Sequence, residues 1–317
     1  MPPTHGMLAP LVLAVAAAVA YQRLTQKRPY TGDPAQQRVV ILGASSGIGK
    51  HLALQYAARG AQLLLVARRR DRLEAVQAEC RGQHARTTCE VVVGDAADEA
   101  VLAAAAAAAR ERLGGVDVLV LCAGVTSIIP FEQVCALDAA AAAEPTASAA
   151  SAAGASASAA LVERIFRTNV FSPIMATKHF LPLLRASKGQ ILVISSAAGI
   201  MAAPTRPIYT ASKHAMTGFF KTLRIELAAS GVSVCIALPG TVDTELRDAA
   251  VDGMGATSKY RGSAGISADE CARIIIAGAD RGDREIYMPW FYGVAHVLSL
   301  ILPGVVDHFA AKKYKLA

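Results

Sequence analysis

The sequence predicts an α/β fold built on a doubly wound, parallel, seven-stranded sheet in a single domain. Three observations carry that expectation. Short apolar runs recur without alternating polar residues, as strands buried on both faces require. A longer helical pattern separates each run from the next, which is the connection that parallel strands need. A glycine-bearing turn follows the first run at once. Helices on both faces of an open sheet satisfy all three.

Taken in order, residues 39–42 form the first strand, followed by the turn and a helix through Arg59. Residues 62–66 precede a charged helix that begins near Arg70, and residues 89–93 precede an alanine-rich helix over 98–112. Further strands are expected at 116–121, 190–194 and 232–237, with 285–288 closing the sheet. Residues 136–160 do not fit this alternation. They are almost entirely Ala, Ser, Gly and acidic residues, with Pro145 and Gly154 in the middle, so they offer little to bury. They read as a low-complexity surface insertion, partly helical or disordered. The catalytic body is therefore placed at 36–290, between an N-terminal segment, 1–30, and a C-terminal tail, 291–317.

Both ends are apolar. No charged side chain occurs from Met1 to Gln22, and residues 8–21 are almost wholly apolar, short for a membrane span of roughly 20 residues but feasible. Ala18-Val19-Ala20 would suit a cleavable signal, yet no Lys or Arg precedes the apolar run, whereas Arg23, Lys27 and Arg28 follow it. The positive-inside rule favours a single anchor with the following domain in the cytosol. A cleaved signal and a buried N-terminal helix remain the alternatives. Residues 286–306 form a second charge-free run, interrupted by Pro289 and Pro303, with Trp290, Phe291 and Tyr292 at one end. Such a segment suits a helix lying in a membrane interface, or one packed on the protein or on a second subunit in a homodimer.

The composition narrows the classes further. Of 317 residues, 53% are hydrophobic and 18% charged, ample for a large core. The net charge of +7 is spread along the chain apart from Arg68-Arg69-Arg70 and Lys312-Lys313-Tyr314-Lys315, with no zinc-finger spacing and no aromatic-interleaved basic strand. Nucleic-acid binding is not expected; a cofactor phosphate and an anionic membrane surface are better uses of the charge. The six cysteines form no CxxC pair and read as reduced, mostly structural thiols. The histidines, His5, His51 and His84 among them, show no metal-ligand spacing.

The turn reads Gly43-Ala-Ser45-Ser46-Gly47-Ile48-Gly49. Glycines permit positive φ and let a backbone approach a pyrophosphate, which then rests at the N-terminus of the next helix. Between a strand and a helix, this turn points to a dinucleotide. Downstream, Tyr209 and Lys213 stand four apart, on one face of a helix whose start is set by Pro204 and Pro207. A phenol with a pKa near ~10 works poorly at neutral pH, and a neighbouring ammonium favours its phenolate. Tyr209 can then give a proton to a carbonyl oxygen or take one from an alcohol.

The turn, Tyr209-Thr-Ala-Ser-Lys213 and Ile194-Ser-Ser-Ala-Ala-Gly199 together resemble the short-chain dehydrogenase/reductase family over about residues 38–289, with membrane-anchored reductases related to corticosteroid 11-beta-dehydrogenase and to the "dehydrogenase/reductase" group the most similar members. The resemblance implies a Rossmann-type sheet and places Lys213 at the nicotinamide ribose. The family serine precedes the tyrosine by thirteen positions, which selects Ser196 to bond the reacting carbonyl, with Ser195 as a backbone-bonding neighbour. Asn169, the only asparagine of the chain, matches the residue that holds a water chain to the lysine. Asp95 resembles the adenine contact, Ala123-Gly124 the turn after the fourth strand, and Pro239-Gly240-Thr-Val242-Asp-Thr244 the loop flanking nicotinamide and pyrophosphate. Two positions depart from the pattern: Leu42 replaces the usual Thr, and Cys122 the usual Asn, which removes an amide that helps lock the central sheet.

An acidic residue after the second strand would bond the adenosine ribose and repel a 2′-phosphate; this chain has Arg68 and Arg69 there, so NADP(H) is the expected cofactor. The expected activity is reduction of a carbonyl, or oxidation of a secondary alcohol, on a small lipophilic substrate of steroid, retinoid or keto-lipid type. A long-chain reductase of the 3-ketosphinganine type and a catalytically silent NADP(H)-binding scaffold are the alternatives. The loop from Thr241 to Ile266, with Met254 and Tyr260, is expected to cover the pocket as a mobile lid. With the anchor, the resemblance implies an endoplasmic-reticulum membrane and a catalytic domain facing the cytosol.

Overall fold

Val39 and Ile41 of the first strand, β1 (Arg38–Leu42), pack into one core, and Val40 and Leu42 into another on the opposite face. That division follows from the two-residue period of a strand and explains why apolar residues run without interruption. The chain is described by a computed structural model over residues 33–143, 156–253 and 265–314. After β1 come β2 (Gln62–Ala67), β3 (Cys89–Val93), β4 (Val118–Leu121), β5 (Gln190–Ile194) and β6 (Ser233–Pro239). The short strands β7 (Val242–Asp243) and β8 (Ile266–Ser267) pair only with each other, and β9 (Glu285–Met288) completes the main sheet.

The seven strands lie in the order β3-β2-β1-β4-β5-β6-β9, all parallel. The expected seven-stranded, doubly wound sheet is therefore what the chain forms. One face is covered by α1 (Gly47–Ala58), α2 (Arg70–Arg81) and α8 (Ala268–Arg281). The other is covered by α3 (Glu99–Ala108), α6 (Ser172–Ser187) and α7 (Pro207–Leu227). The strand order reverses between β1 and β4, and a crevice opens there beyond the strands' carboxyl ends.

Some boundaries differ from expectation for local reasons. The fourth strand begins at Val118 rather than 116, because Gly114 and Gly115 take positive φ (72° and 149°) and the turn holds through Asp117. The carboxylate of Asp117 accepts from the backbone N–H of Arg38 at 2.9 Å and from its Nε and Nη2 at 2.9 and 2.7 Å, so it ties the start of β1 to the start of β4. The helix expected over 98–112 is α-helical at α3 and widens into a π-helical turn at Ala109–Leu113.

The alanine-rich stretch is entered through α4 (Phe131–Ala143) and left through α5 (Ala157–Phe166); residues 144–155 lie outside the described residues. Val134, Leu161 and Ile165 pack with Ile208 of α7, and Asp138 accepts from the backbone and hydroxyl of Ser158 at 3.0 and 2.7 Å. The flanks of the insertion thus bury more than composition suggested, because a few Leu, Ile and Val residues sit on the faces that meet.

The expected N-terminal anchor lies outside the described residues. The C-terminal run forms β9 and then two helices, α9 (Phe291–Ile301) and α10 (Pro303–Lys313), none of whose residues is buried. Among the described residues no helix is long and apolar enough to cross a membrane.

Candidate active site

The glycine turn positions the first half of the site. Gly43 has φ +87°, and a Cβ there would lie 2.6 Å from the backbone nitrogen of Ala123 in the turn after β4. Gly47 has φ +53° and opens α1 opposite the side chain of Thr244. At Gly49 a Cβ would collide with the carbonyl oxygen of Gly43. Gly43 and Gly49 serve the close approach of backbones at the mouth of the sheet, and Gly47 the positive φ that opens the helix.

A cleft of about 330 Å³ runs along this mouth. Gly43, Ser45, Ser46, Gly47 and Ile48 line it from the turn, Arg68, Arg69 and Asp95 from the ends of β2 and β3, and Ala123 and Gly124 from the end of β4. Pro239, Gly240, Val242 and Thr244 line it from the segment after β6, and Ser196, Tyr209 and Lys213 from the centre. Of the residues expected to hold a cofactor, Gly49 alone is not on the wall. It is a packing glycine that lets α1 close on the turn, and not a contact surface.

The arginine end is tied together. Arg69 Nη2 donates to Ser46 Oγ at 2.8 Å and Ser45 Oγ at 3.2 Å, while its Nη1 lies 3.6 Å from Glu245. Arg68 lies 3.6 Å from Asp95, whose other oxygen accepts from Ala97 N. Arg70 turns away into an exposed i,i+4 pair with Glu74, as a solvated helix residue does. Two serine hydroxyls beside two exposed guanidiniums at the ribose end are the donor set a phosphate monoester takes. The turn, its helix N-terminus and this donor set fit a dinucleotide carrying a 2′-phosphate.

Tyr209 and Lys213 both lie in the first two turns of α7 and are buried. Pro207 occupies the first turn of α7, where a missing N–H costs nothing. Lys213 Nζ donates to the carbonyl oxygen of Ile194 at 3.1 Å and stands 5.9 Å from the centre of the Tyr209 ring. Ser196 accepts from Ala198 N at 3.1 Å and donates to Pro239 O at 3.4 Å, with its hydroxyl on the side of the Tyr209 phenol. Asn169, fully buried in a π-helical turn at Arg167–Phe171, accepts from Val125 N and donates to Val125 O, both at 2.9 Å, and donates to Ser212 Oγ at 3.0 Å. It does not line the cleft, but a Cβ on Gly124 would stand 3.4 Å from its Oδ1 and 3.7 Å from Lys213 Nζ, so amide and ammonium flank one glycine. The hydroxyl of Ser195 meets that of Thr217 at 2.8 Å; its partner is a side chain on α7, and its backbone N–H bonds Ala237.

Electrostatics correct one expectation. Burial raises the Tyr209 phenol above its ordinary pKa, and what opposes this is the Ser196 hydrogen bond and the guanidiniums of Arg206 and Arg247, not the ammonium of Lys213. Lys213 itself is pushed down to about 8 by burial. The order of titration explains the difference: Lys213 gives up its proton below the range in which the buried phenol ionises. Sequence reasoning missed both arginines, although Arg206 stands three residues before Tyr209. Cys122, in the place of the usual amide, is half-buried beside Gly49 and Lys213, and desolvation lifts its thiol to about 12. All six cysteines are free.

A strand-order switch point, a glycine turn and a serine–tyrosine–lysine set whose tyrosine and lysine are buried define a dinucleotide-dependent dehydrogenase. Residues 37–254 match the short chain dehydrogenase family, and the chain belongs to it; it is an oxidoreductase. It is 35% identical over 269 residues to "11-beta-hydroxysteroid dehydrogenase-like 4A" of Arabidopsis thaliana, covering 84% of this chain and 81% of that one. Among solved structures it resembles a short-chain dehydrogenase from Sphingobium yanoikuyae in complex with NADPH, with TM-score 0.67 and 26% identity over 86% of this chain and 95% of the other. It also resembles an alcohol dehydrogenase from the archaeon Thermococcus sibiricus complexed with 5-hydroxy-NADP, with TM-score 0.61 and 25% identity over 76% and 89%.

Proposed function

We propose that this oxidoreductase uses NADP(H) to reduce a carbonyl, or oxidise a secondary alcohol, on a lipophilic substrate. The observation that carries the reading is the convergence of Ser196, Tyr209 and Lys213 on the one cleft that begins at the glycine turn. Arg69, bridging Ser45 and Ser46, supports the phosphorylated cofactor, as do the NADPH and 5-hydroxy-NADP complexes of the two structural neighbours. The hydroxysteroid dehydrogenase relatives support a lipophilic substrate.

A bound nicotinamide dinucleotide supplies the hydride; the rest falls to side chains of this chain. Ser196 bonds the substrate oxygen and steadies its developing charge. Tyr209, protonated through the neutral range because burial holds its pKa up, gives its proton to that oxygen. Lys213 would hold the ribose hydroxyls, and Asn169 anchors the turn after β4 against α7, with its Oδ1 facing Lys213 Nζ across Gly124.

The membrane attachment belongs to the same reading. Trp290 and Leu300 are each 75% exposed on or beside α9, and Phe309 65% on α10. Tyr292 of α9 lies against Gly240 at the cleft, so an interface holding these helices would sit beside the substrate entrance. Anchored to the endoplasmic-reticulum membrane at its N-terminus, the domain would take a lipophilic substrate from that side.

Purified full-length protein, supplied with NADPH and a panel of steroid, retinoid and keto-lipid carbonyls, tests the reading. Turnover of at least one panel class is expected, and Tyr209→Phe should lower kcat by about 10²–10⁴-fold with the thermal midpoint preserved. Turnover that survives Tyr209→Phe, or a protein that binds NADPH but turns over no panel member, overturns it.

A further inference from the structure

Two arginines stand at the reacting end of the cleft with no role in the chemistry so far described. Arg206 immediately precedes α7, and Arg247 lies on the segment after β7; both line the cleft with Tyr209 and Ser196, and both are half-buried. They sit close enough to act on each other's charge and on the phenol. Among the described residues neither forms an ion pair with a carboxylate. Arg206 Nη2 donates to Tyr314 Oη at 3.1 Å, its guanidinium carbon lies 5.7 Å from the Tyr314 ring centre, and its Nε is buried without a hydrogen-bond partner. Arg247 Nη2 reaches Thr241 Oγ1 at 3.3 Å.

That arrangement is costly as it stands. Two like charges are partly desolvated side by side, and one guanidinium N–H has no acceptor. The arginines at the other end of the cleft differ: Arg68 faces Asp95, and Arg69 faces Glu245 and two serines. Those carboxylates do not reach Arg206 or Arg247. A single anionic group between the two guanidiniums would satisfy both, because guanidinium donors match the planar oxygens of a carboxylate or the oxygens of a phosphate. The anion meant here is the substrate's: the ionisable groups around Arg247 are Tyr209, Arg206, Tyr292 and Tyr314, all at the reacting end.

We infer that Arg206 and Arg247 form an anion subsite beside Tyr209, and that the substrate is an amphiphile carrying a carboxylate or phosphate near its reacting carbonyl. The inference rests on the oxidoreductase reading above and narrows its substrate class. Tyr314, at the end of α10, bonds Arg206, and Tyr292 of α9 lies against Gly240 of the cleft, so an apolar chain leaving the anionic head would run towards the C-terminal helices. An α-keto acid and a phosphorylated hydroxyketone share this chemistry, and the test separates them.

The test uses the full-length protein saturated with NADP⁺, so that cofactor phosphates already occupy their own sites. Dodecanoate, dodecyl phosphate and dodecanol are titrated as non-reacting probes, and α-ketododecanoate, its methyl ester and the phosphate ester of hydroxydodecanone as substrates with NADPH. At least one anionic probe is expected to bind about 10-fold or more tightly than dodecanol, and Arg206→Gln or Arg247→Gln to remove about 10-fold of that preference, with partial recovery in the Lys variants. The tighter of the two anions identifies carboxylate or phosphate. Equal binding of dodecanol and both anions, or a preference unmoved in the Arg206→Gln/Arg247→Gln double variant, overturns the subsite. If the anions bind through the arginines while none of the ketones is turned over, the subsite stands and the oxidoreductase assignment for this substrate class falls instead.

Discussion

The two edges of the sheet hold cations in opposite ways. At the amino edge, Arg38 spends its side chain on one carboxylate and one carbonyl: Nε and Nη2 on Asp117, and Nη1 on the Gly114 oxygen at 2.9 Å. At the carboxyl edge, Lys213 is buried with a lowered pKa, Arg206 has a buried N–H without a partner, and Arg247 lies beside another guanidinium. Charges that build the fold are fully partnered inside the chain. Charges that serve a ligand are held short of satisfaction, at a cost in stability that the satisfied edge offsets.

Breaking the amino edge should show the largest stability effect. Asp117→Ala leaves three Arg38 donors, the backbone N–H among them, without their acceptor, in a pair whose carboxylate is only 10% exposed. The expected loss is about 2–3 kcal/mol, measured by urea unfolding. Because the pair lies at the far edge from the cleft, the activity per folded molecule should hold. A variant as stable as the parent would mean that water replaces the carboxylate at no cost.

The cofactor half of the cleft was legible in the sequence and the substrate half was not. The glycine turn, Asp95 and the segment 239–244 are read from short motifs because the backbone itself makes the contact, and local spacing determines backbone geometry. Ser196, Tyr209 and Lys213 are likewise tied to one strand end and one helix. Arg206 and Arg247 come from separate segments, 41 positions apart in the chain, and only the tertiary fold brings them to one place. The effect of Lys213 on Tyr209 was misjudged because i,i+4 spacing fixes the face of a helix but not burial, which raises the phenol and lowers the ammonium. Gly49 shows the converse, a motif residue whose contribution is packing. The paired helices flanking 144–155 were obscured by alanine-rich composition, which hides the few residues that pack.

At the adenosine end, Arg68 and Arg69 are tied to carboxylates and hydroxyls, yet remain exposed enough to exchange those partners for a phosphate. Replacing both with alanine should weaken NADPH binding by about 10- to 100-fold and leave NADH binding within about 3-fold. Intrinsic fluorescence of Trp290 or calorimetry would measure both. An equal loss for the two cofactors would show that these arginines hold the fold of the turn rather than the 2′-phosphate.

Within a single pH unit the smallest effect expected is a pH dependence centred on Lys213, and its sign separates cost from use. Burial lowers the folded-state pKa from its ordinary 10.5 to about 8. Below about 8 the lysine is charged in both folded and unfolded chains, so the cost of burying the ammonium is present in full. Between about 8 and 10.5 the folded chain has released the proton and the unfolded chain still holds it. Its contribution to stability therefore rises with pH in that window, by at most about 1.4 kcal/mol per pH unit. Activity should move the other way if the ammonium is what the site uses: kcat/KM for NADPH, which reports the free enzyme, should fall as pH rises through about 8. Subtracting the profile of Lys213→Met from that of the parent isolates both trends. Two curves that rise together across the window would show that the buried ammonium is a burden on the fold without a use in the site.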